Sequence, residues 1–341
     1  MTASSSWVSR NAAAHSQSPV VIWLFIMAAL VAIMVVIGGI TRLTESGLSM
    51  VEWRPLIGTL PPLNAAEWDR VFTLYKASPE YEQLNFGMSL AEFKTIFFWE
   101  YFHRLWGRFL GLAFALPLFG FALAGRIPLG YGRRLGALLL LGGFQGVIGW
   151  WMVKSGLTEE ASVSQYRLAT HLGMALMIFG ILIWTGFDLR DGRSSAPKGH
   201  GLASLALLVI TIIAGALVAG MDAGLLYNEY PLMGTGLVPV EYGEMGILDP
   251  LENPASAQFH HRWIALLTFG AVIVLARRTS RHEGAFRSRL VIAAVTAQFI
   301  LGIATLLHGV PVSLGGLHQA GAVVLLGSLL ALLHQSGRAQ R

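Results

Sequence analysis

The sequence contains no cysteine. That absence excludes disulfides, thiolate ligation of heme iron, cysteine-held iron–sulfur clusters and cysteine redox relays within the chain. Charge is also scarce: 13% of the 341 residues are Asp, Glu, Lys or Arg, against about 25% in a soluble globular chain. With 54% hydrophobic residues and a mean hydropathy of +0.59, a soluble fold is excluded as well. The formal charge of +5 does not point to nucleic acid, because the basic residues gather in a few short connections.

What is there is a series of apolar runs, each long enough to cross a bilayer as a helix. Eight are expected, at about 20–40, 101–124, 134–153, 169–187, 201–221, 259–276, 289–307 and 315–334. The fold class is therefore an all-α polytopic membrane protein. The segment 1–18, rich in Ser and Ala with one Arg and no acid, reads as a cytoplasmic tail rather than the stub of a transit peptide.

Arg126, Arg133 and Arg134 lie between the second and third stretches, and Arg190, Arg193 and Lys198 between the fourth and fifth. Arg277, Arg278, Arg281, Arg287 and Arg289 lie between the sixth and seventh. The connection before the sixth stretch holds Asp222, Glu229, Glu241, Glu244, Asp249 and Glu252, with no Lys or Arg before Arg262. By the positive-inside rule both termini are cytoplasmic. The long first outer loop, about 41–100, carries two helix starts. Asn64 with Glu67 precedes a Trp68, Phe72, Tyr75 stripe that stops near Pro79, and Ser89 with Glu92 opens a helix running into the second stretch. The first reads as an amphipathic surface helix. Trp53, Trp99, Trp150 and Trp151 read as interfacial anchors.

The chain is internally duplicated. Pro55-Leu56-Ile57-Gly58-Thr59 recurs as Pro231-Leu232-Met233-Gly234-Thr235, and Glu45-Ser46-Gly47-Leu48 is echoed by Asp222-Ala223-Gly224-Leu225. Phe102-His103-Arg104 is echoed by His260-His261-Arg262; Gln145 and Gly149 match Gln298 and Gly302; His171 with Ala175 matches His318 with Ala322. An even number of spans per half keeps both repeats in one orientation, related by an axis along the membrane normal. The expected organisation is a four-helix bundle at 19–187, a cytoplasmic linker at 188–200 and a second four-helix bundle at 201–335, the two related by a pseudo-twofold axis.

His103, His171, His261 and His318 each open an even-numbered stretch on its outer side, which places two imidazoles per half at one depth. Such pairs suit bis-His heme ligation. Zinc fits less well, since no Cys or carboxylate cluster completes four ligands in either half. The repeat alignment selects His261 over His260 as the ligand. Gly107, Gly111, Ala175 and Ala322 form low-relief strips, which serve a flat macrocycle or close helix packing. Arg104 and Arg262 each follow a ligand; pairing with heme propionates and snorkelling to headgroups are the two uses open to them. Arg108, one turn deeper, points to Glu100 or a propionate. His308, at the outer end of the seventh stretch, has no twin, and His15, His200, His282 and His334 fall in cytoplasmic segments without a role. The halves differ at one decisive place: Glu100, three residues before His103, is replaced by Gln258 three before His261. An ionisable group at a membrane boundary is expensive and so a functional candidate. Only the first half has an acid beside its heme ligands, which makes it the reactive half.

These residues resemble the heme A synthase family. The likeness rests on Gly38-Gly39-Ile40-Thr41-Arg42-Leu43-Thr44-Glu45-Ser46-Gly47-Leu48-Ser49, on Glu100-Tyr101-Phe102-His103-Arg104, on the run from Gln145 through Gly149 and Trp151 to Gly156-Leu157, and on Ala169-Thr170-His171-Leu172, Phe259-His260-His261-Arg262 and Leu317-His318-Gln319-Ala320-Gly321. It spans about 20–335. The resemblance implies oxidation of the C8 methyl of heme O to the formyl group of heme A by successive hydroxylations. It implies that His103 and His171 flank the substrate, that His261 and His318 hold a resident heme b, and that Glu100 assists the oxidation. It also implies a bacterial inner membrane, heme sites toward the periplasm, and a heme O synthase and cytochrome oxidase assembly factors as partners, with no nucleic acid. Some relatives carry an outer-loop cysteine pair that is missing here, so a thiol-mediated electron route does not apply. The rival readings are a di-heme cytochrome b-type quinol-oxidising carrier and a duplicated transporter.

Overall fold

A computed structural model describes residues 19–52, 60–156, 161–280 and 285–339. The expected tail with His15, Trp53, the motif Pro55 to Thr59, Leu157, Arg281 and His282 lie outside the described residues. Eight helices there are long and apolar enough to cross a membrane, as the hydropathy runs require. They are α1 (Pro19–Leu43), α4 (Leu90–Leu123), α5 (Gly132–Gly156), α6 (Gln165–Asp191), α7 (Gly199–Gly220), α9 (Pro254–Ser280), α10 (Ala285–Leu307) and α11 (Val312–Ala339). Shorter helices occupy the connections: α2 (Ala65–Lys76), α3 (Pro79–Gln83) and α8 (Asp249–Glu252).

Helix α1 packs on α4 and α6, and α5 bridges α4 and α6; α9 packs on α7 and α10, and α10 on α11. The two groups meet where α1 and α6 contact α11 and where α6 contacts α7. This seam is the most deeply buried part of the molecule: Leu24, Met27, Ala28 and Val35 of α1 share one apolar cluster with Leu325, Leu329 and Leu332 of α11. Polar ties close both ends of the seam. At one end Arg42 pairs with Asp222 at 2.7 Å. At the other, fully buried His334 presents Nε2 to Asp188 at 3.0 Å, and Asp188 also receives Arg134 at 2.8 Å. His334, expected in a cytoplasmic segment without a role, is a buried tie between α6 and α11.

The connection between α1 and α4 carries the helix expected to lie on the outer surface, and its apolar face is packed against protein. Ser89 and Glu92 form the complete capping box, with Ser89 N donating to the Glu92 carboxylate at 2.8 Å and Glu92 N donating to Ser89 Oγ at 3.3 Å. The 34 residues of α4 span about 51 Å, roughly 20 Å more than the apolar core of a bilayer. Helix α2, whose Asn64 cap accepts from Glu67 N at 2.9 Å, docks on this projecting end. Phe72 and Tyr75 bury against Phe93 and Phe97, with Phe72 stacked on Phe93 at 4.9 Å. Aromatic area at the two interfaces, not the membrane surface alone, holds α2.

Under this cluster Glu80 of α3 is 4% exposed and accepts from Tyr75 Oη at 2.9 Å, while Asn85 Nδ2 donates to Tyr75 Oη at 2.7 Å. Burial, with Glu100 and Glu45 adding repulsion, pushes the Glu80 carboxyl up to about 8 against the opposing pull of the Tyr75 hydroxyl. Between the ordinary carboxylate value of 4.5 and about 8 the folded loop binds the extra proton, so its stability falls as pH rises through that window. Limited proteolysis of the outer loop is expected to accelerate as pH is raised to about 8. Glu80→Gln removes the acceleration, and an unchanged pH profile in that variant overturns the assignment.

Candidate functional site

The four histidines sit on α4, α6, α9 and α11, and each imidazole lies against a glycine of a neighbouring helix. A Cβ built on Gly38 of α1 falls 3.0 Å from Cε1 of His103. On Gly149 of α5 it falls 2.9 Å from His171, on Gly215 of α7 2.9 Å from His261, and on Gly302 of α10 2.9 Å from His318. Only a residue without a side chain lets the ring approach so closely. His103 lies within electrostatic reach of His171, and His318 within reach of His261. All four residues are half-buried, lining the space between helices rather than filling core.

The ring nitrogens of His171 and His318 are held alike in the two halves. Gln145 Nε2 lies 3.2 Å from His171 Nδ1 and donates to the His171 carbonyl at 3.0 Å. Gln298 repeats this on His318 at 3.2 and 2.9 Å. His261 Nδ1 is 3.1 Å from the Thr211 carbonyl; a proton on Nδ1 satisfies that oxygen and leaves Nε2 as the lone-pair nitrogen. The glutamines and the four paired glycines carry roles that periodicity alone does not show. The match of Gln145 and Gly149 to Gln298 and Gly302 was the one signal in the sequence. By contrast, a Cβ built on Gly107 meets only Met34 at 3.5 Å, and one built on Gly111 meets nothing within 4 Å.

Glu100 is 3% exposed, which removes the possibility that it points to solvent. One carboxylate oxygen accepts from Ser49 Oγ and Met50 N, each at 2.7 Å; the other pairs with Arg104 at 2.5 Å. Arg104 also donates to the Met50 carbonyl at 3.1 Å. Arg104 is thus held against Glu100 and the loop after α1. In the second half, Gln258 Nε2 donates to the Tyr227 carbonyl at 3.1 Å, and Arg262 donates to the carbonyls of Tyr227, Glu229 and Leu232 at 2.7 to 3.0 Å. Both arginines pin the outer loop that follows the first helix of their half. Glu45 and Asp222, matched in the duplication, both adopt left-handed backbone at φ 49 and 52°.

The remaining histidines stand apart. His260 Nδ1 is 2.7 Å from the Ser256 carbonyl with its ring stacked on Tyr242, and His308 Nδ1 is 2.8 Å from the Ala304 carbonyl at the exposed end of α10.

The residues fit heme. Two imidazoles suffice for its iron, and among the described residues no group of three or more His, Cys, Asp or Glu converges as a bare metal ion requires. The glycine contacts hold each ring at a fixed depth. Gly302→Ala is expected to displace His318 at a cost of about 1–3 kcal/mol of overpacking and to shift the bound-heme spectrum. Gly149→Ala, in the other half, is expected to leave the spectrum of a heme held by His261 and His318 in place. Absorption spectra of the two purified variants check this, and identical spectra overturn the division between halves.

Comparison with known proteins agrees with this geometry. The sequence pattern of the COX15-CtaA family, described as cytochrome oxidase assembly protein, matches residues 21–330. A heme A synthase of Rhodospirillum centenum is 48% identical over 338 residues, covering 95% of this chain and 90% of that protein. Heme A synthases of Azorhizobium caulinodans and Caulobacter vibrioides are each 47% identical, over 96% and 90% of this chain and 97% and 93% of theirs. The buried acid beside paired histidines, on eight apolar helices, thus occurs in a chain that belongs to the heme A synthase (COX15-CtaA) family of cytochrome oxidase assembly proteins.

Proposed function

We propose that this protein is a heme A synthase, an oxidoreductase that converts the C8 methyl of heme O to the formyl group of heme A. The observation that carries the reading is the asymmetry between halves built alike: the buried, three-donor carboxylate of Glu100 stands where the second half has Gln258. In this reading His103 and His171 hold the substrate in a bundle formed by 19–187, and His261 and His318 hold a resident heme b in the bundle 201–335, joined by the linker 188–200. Heme b, when bound, supplies a one-electron relay near the substrate half. Conversion of the methyl to the formyl group is a four-electron oxidation of one carbon, taken through two hydroxylations and loss of water from the twice-hydroxylated carbon, with the four electrons passing to an oxidant supplied from outside the chain.

The protein's own residues divide the work. Ser49, Met50 and Arg104 hold the Glu100 carboxylate in one orientation, so its charge is already placed when positive charge develops at the substrate carbon. Arg104 acts through Glu100 as a positioning residue, Arg262 holds the loop after α7, and Arg108, one turn further along α4, is assigned to the substrate heme. The distribution of Arg and Lys supports cytoplasmic termini, an inner-membrane location and heme sites toward the periplasm. A heme O synthase as donor and oxidase assembly factors as recipients are what membership of the family leads us to expect.

The test is pigment extraction from membranes in which the chain is expressed with a heme O synthase. Heme A or a hydroxylated precursor is expected. Bound heme b with neither product would favour a di-heme electron carrier, and a purified protein lacking any Soret band would favour a transporter.

A further inference from the structure

At the end of the helices that bears the basic loops, a cleft of about 490 Å³ opens between α5, α6, α7, α11 and the connection before α7. It is far from the heme ligands: sixteen residues of α11 between His318 and His334 correspond to roughly 24 Å. One side is cationic. Arg134 and Arg193 lie 5.4 and 5.2 Å from the centre of the same Tyr131 ring, and both line the cleft, so two guanidiniums stand beside one residue. Against them stands one carboxylate, Asp188, already engaged by His334, by the Ser194 backbone N–H and by Arg134. Among the described residues, the hydrogen bond of Arg193 is a long one, from Nε to Tyr131 Oη at 3.4 Å. The rest of the lining is largely apolar and includes Trp184, Pro197, Leu205 and Leu330.

Paired arginines with an apolar lining, between membrane helices, match an amphiphile with a phosphate at one end and hydrocarbon at the other. A small anion would use the arginines and leave the apolar lining without a partner, and a neutral lipid would leave one guanidinium uncompensated. We propose that this cleft binds one anionic phospholipid, its phosphate between Arg193 and Arg134 and an acyl chain along Trp184, Leu205 and Leu330. The ligand would brace the connection before α7, which reaches α11 through Ser194 Oγ donating to the His334 carbonyl at 2.7 Å.

Native mass spectrometry of the full-length protein, released from a neutral detergent, tests this with three probes: phosphatidylglycerol, phosphatidylcholine and inorganic phosphate. Saturable binding of a single phosphatidylglycerol is expected, with phosphatidylcholine and phosphate failing to match it. Arg193→Gln is expected to weaken phosphatidylglycerol about fivefold, the value of one arginine at a charged membrane surface. Arg278→Gln, at an exposed arginine of α9, is expected to leave binding unchanged. Arg193 is chosen because Arg134 also neutralises buried Asp188. Equal affinity for phosphatidylcholine, equal affinity for phosphate alone, full binding by Arg193→Gln, or equal weakening by Arg278→Gln each overturns the proposal.

Discussion

Glu100→Gln is expected to abolish heme A formation while leaving heme b bound. Turnover should fall by at least about 10²-fold, the scale on which a charge or proton acceptor placed at a reacting centre acts. The substitution keeps the volume and one acceptor oxygen for Ser49 Oγ and Met50 N. It is also what the second half already carries at the matching position, where Gln258 is 2% exposed; the fold is therefore known to accommodate an amide three residues before a heme-ligand candidate. Glu100→Ala is a harsher test, because it strands Arg104, whose side chain is only 14% exposed, and breaking such a pair costs about 3–5 kcal/mol. The readout is two pigments from one preparation: heme b by absorption, and heme O against heme A by extraction. Retained conversion would show that the carboxylate only anchors α4 to its loop.

His261→Ala is expected to lose bound heme b, with occupancy falling at least about tenfold, since even an outer contact to a ligating histidine is worth 10- to 100-fold. His103→Ala should retain heme b and lose conversion. The two results together assign the halves. His261 is the sharper probe, because its Nδ1 lies against the Thr211 carbonyl, an arrangement that leaves Nε2 as the nitrogen with a free lone pair. If Glu100→Gln or His103→Ala loses heme b and His261→Ala keeps it, the substrate and electron-transfer halves are exchanged.

Much of this was legible in the chain itself. The eight spanning helices follow from apolar length, because a bilayer admits no backbone that fails to satisfy its own hydrogen bonds. The four histidines stood out because polar groups at membrane depth are costly, and the capping box at Ser89 because its partners are three residues apart. Glu100 was singled out by comparing the halves, a comparison that needs no coordinates.

Other features depend on pairs that are distant in sequence. That Arg104 reaches both Glu100 and the Met50 carbonyl does not follow from spacing, since a long flexible side chain has several partners in range and Met50 lies 54 residues away. Arg262 likewise reads as a membrane-boundary cation until the carbonyls of Tyr227, Glu229 and Leu232 are brought beneath it. The buried pair of His334 and Asp188, 146 residues apart, resembles two loop residues in sequence because each lies at the polar end of its helix. Most telling is the approach of each imidazole to a glycine on another helix. Local periodicity determines which face of a helix a residue occupies, whereas contact between faces depends on how the helices cross. The sequence by itself determined the spans, the four imidazoles and the unmatched acid of this protein; the tertiary structure decided which glycine, glutamine and arginine hold them, because those contacts exist only once the helices are packed.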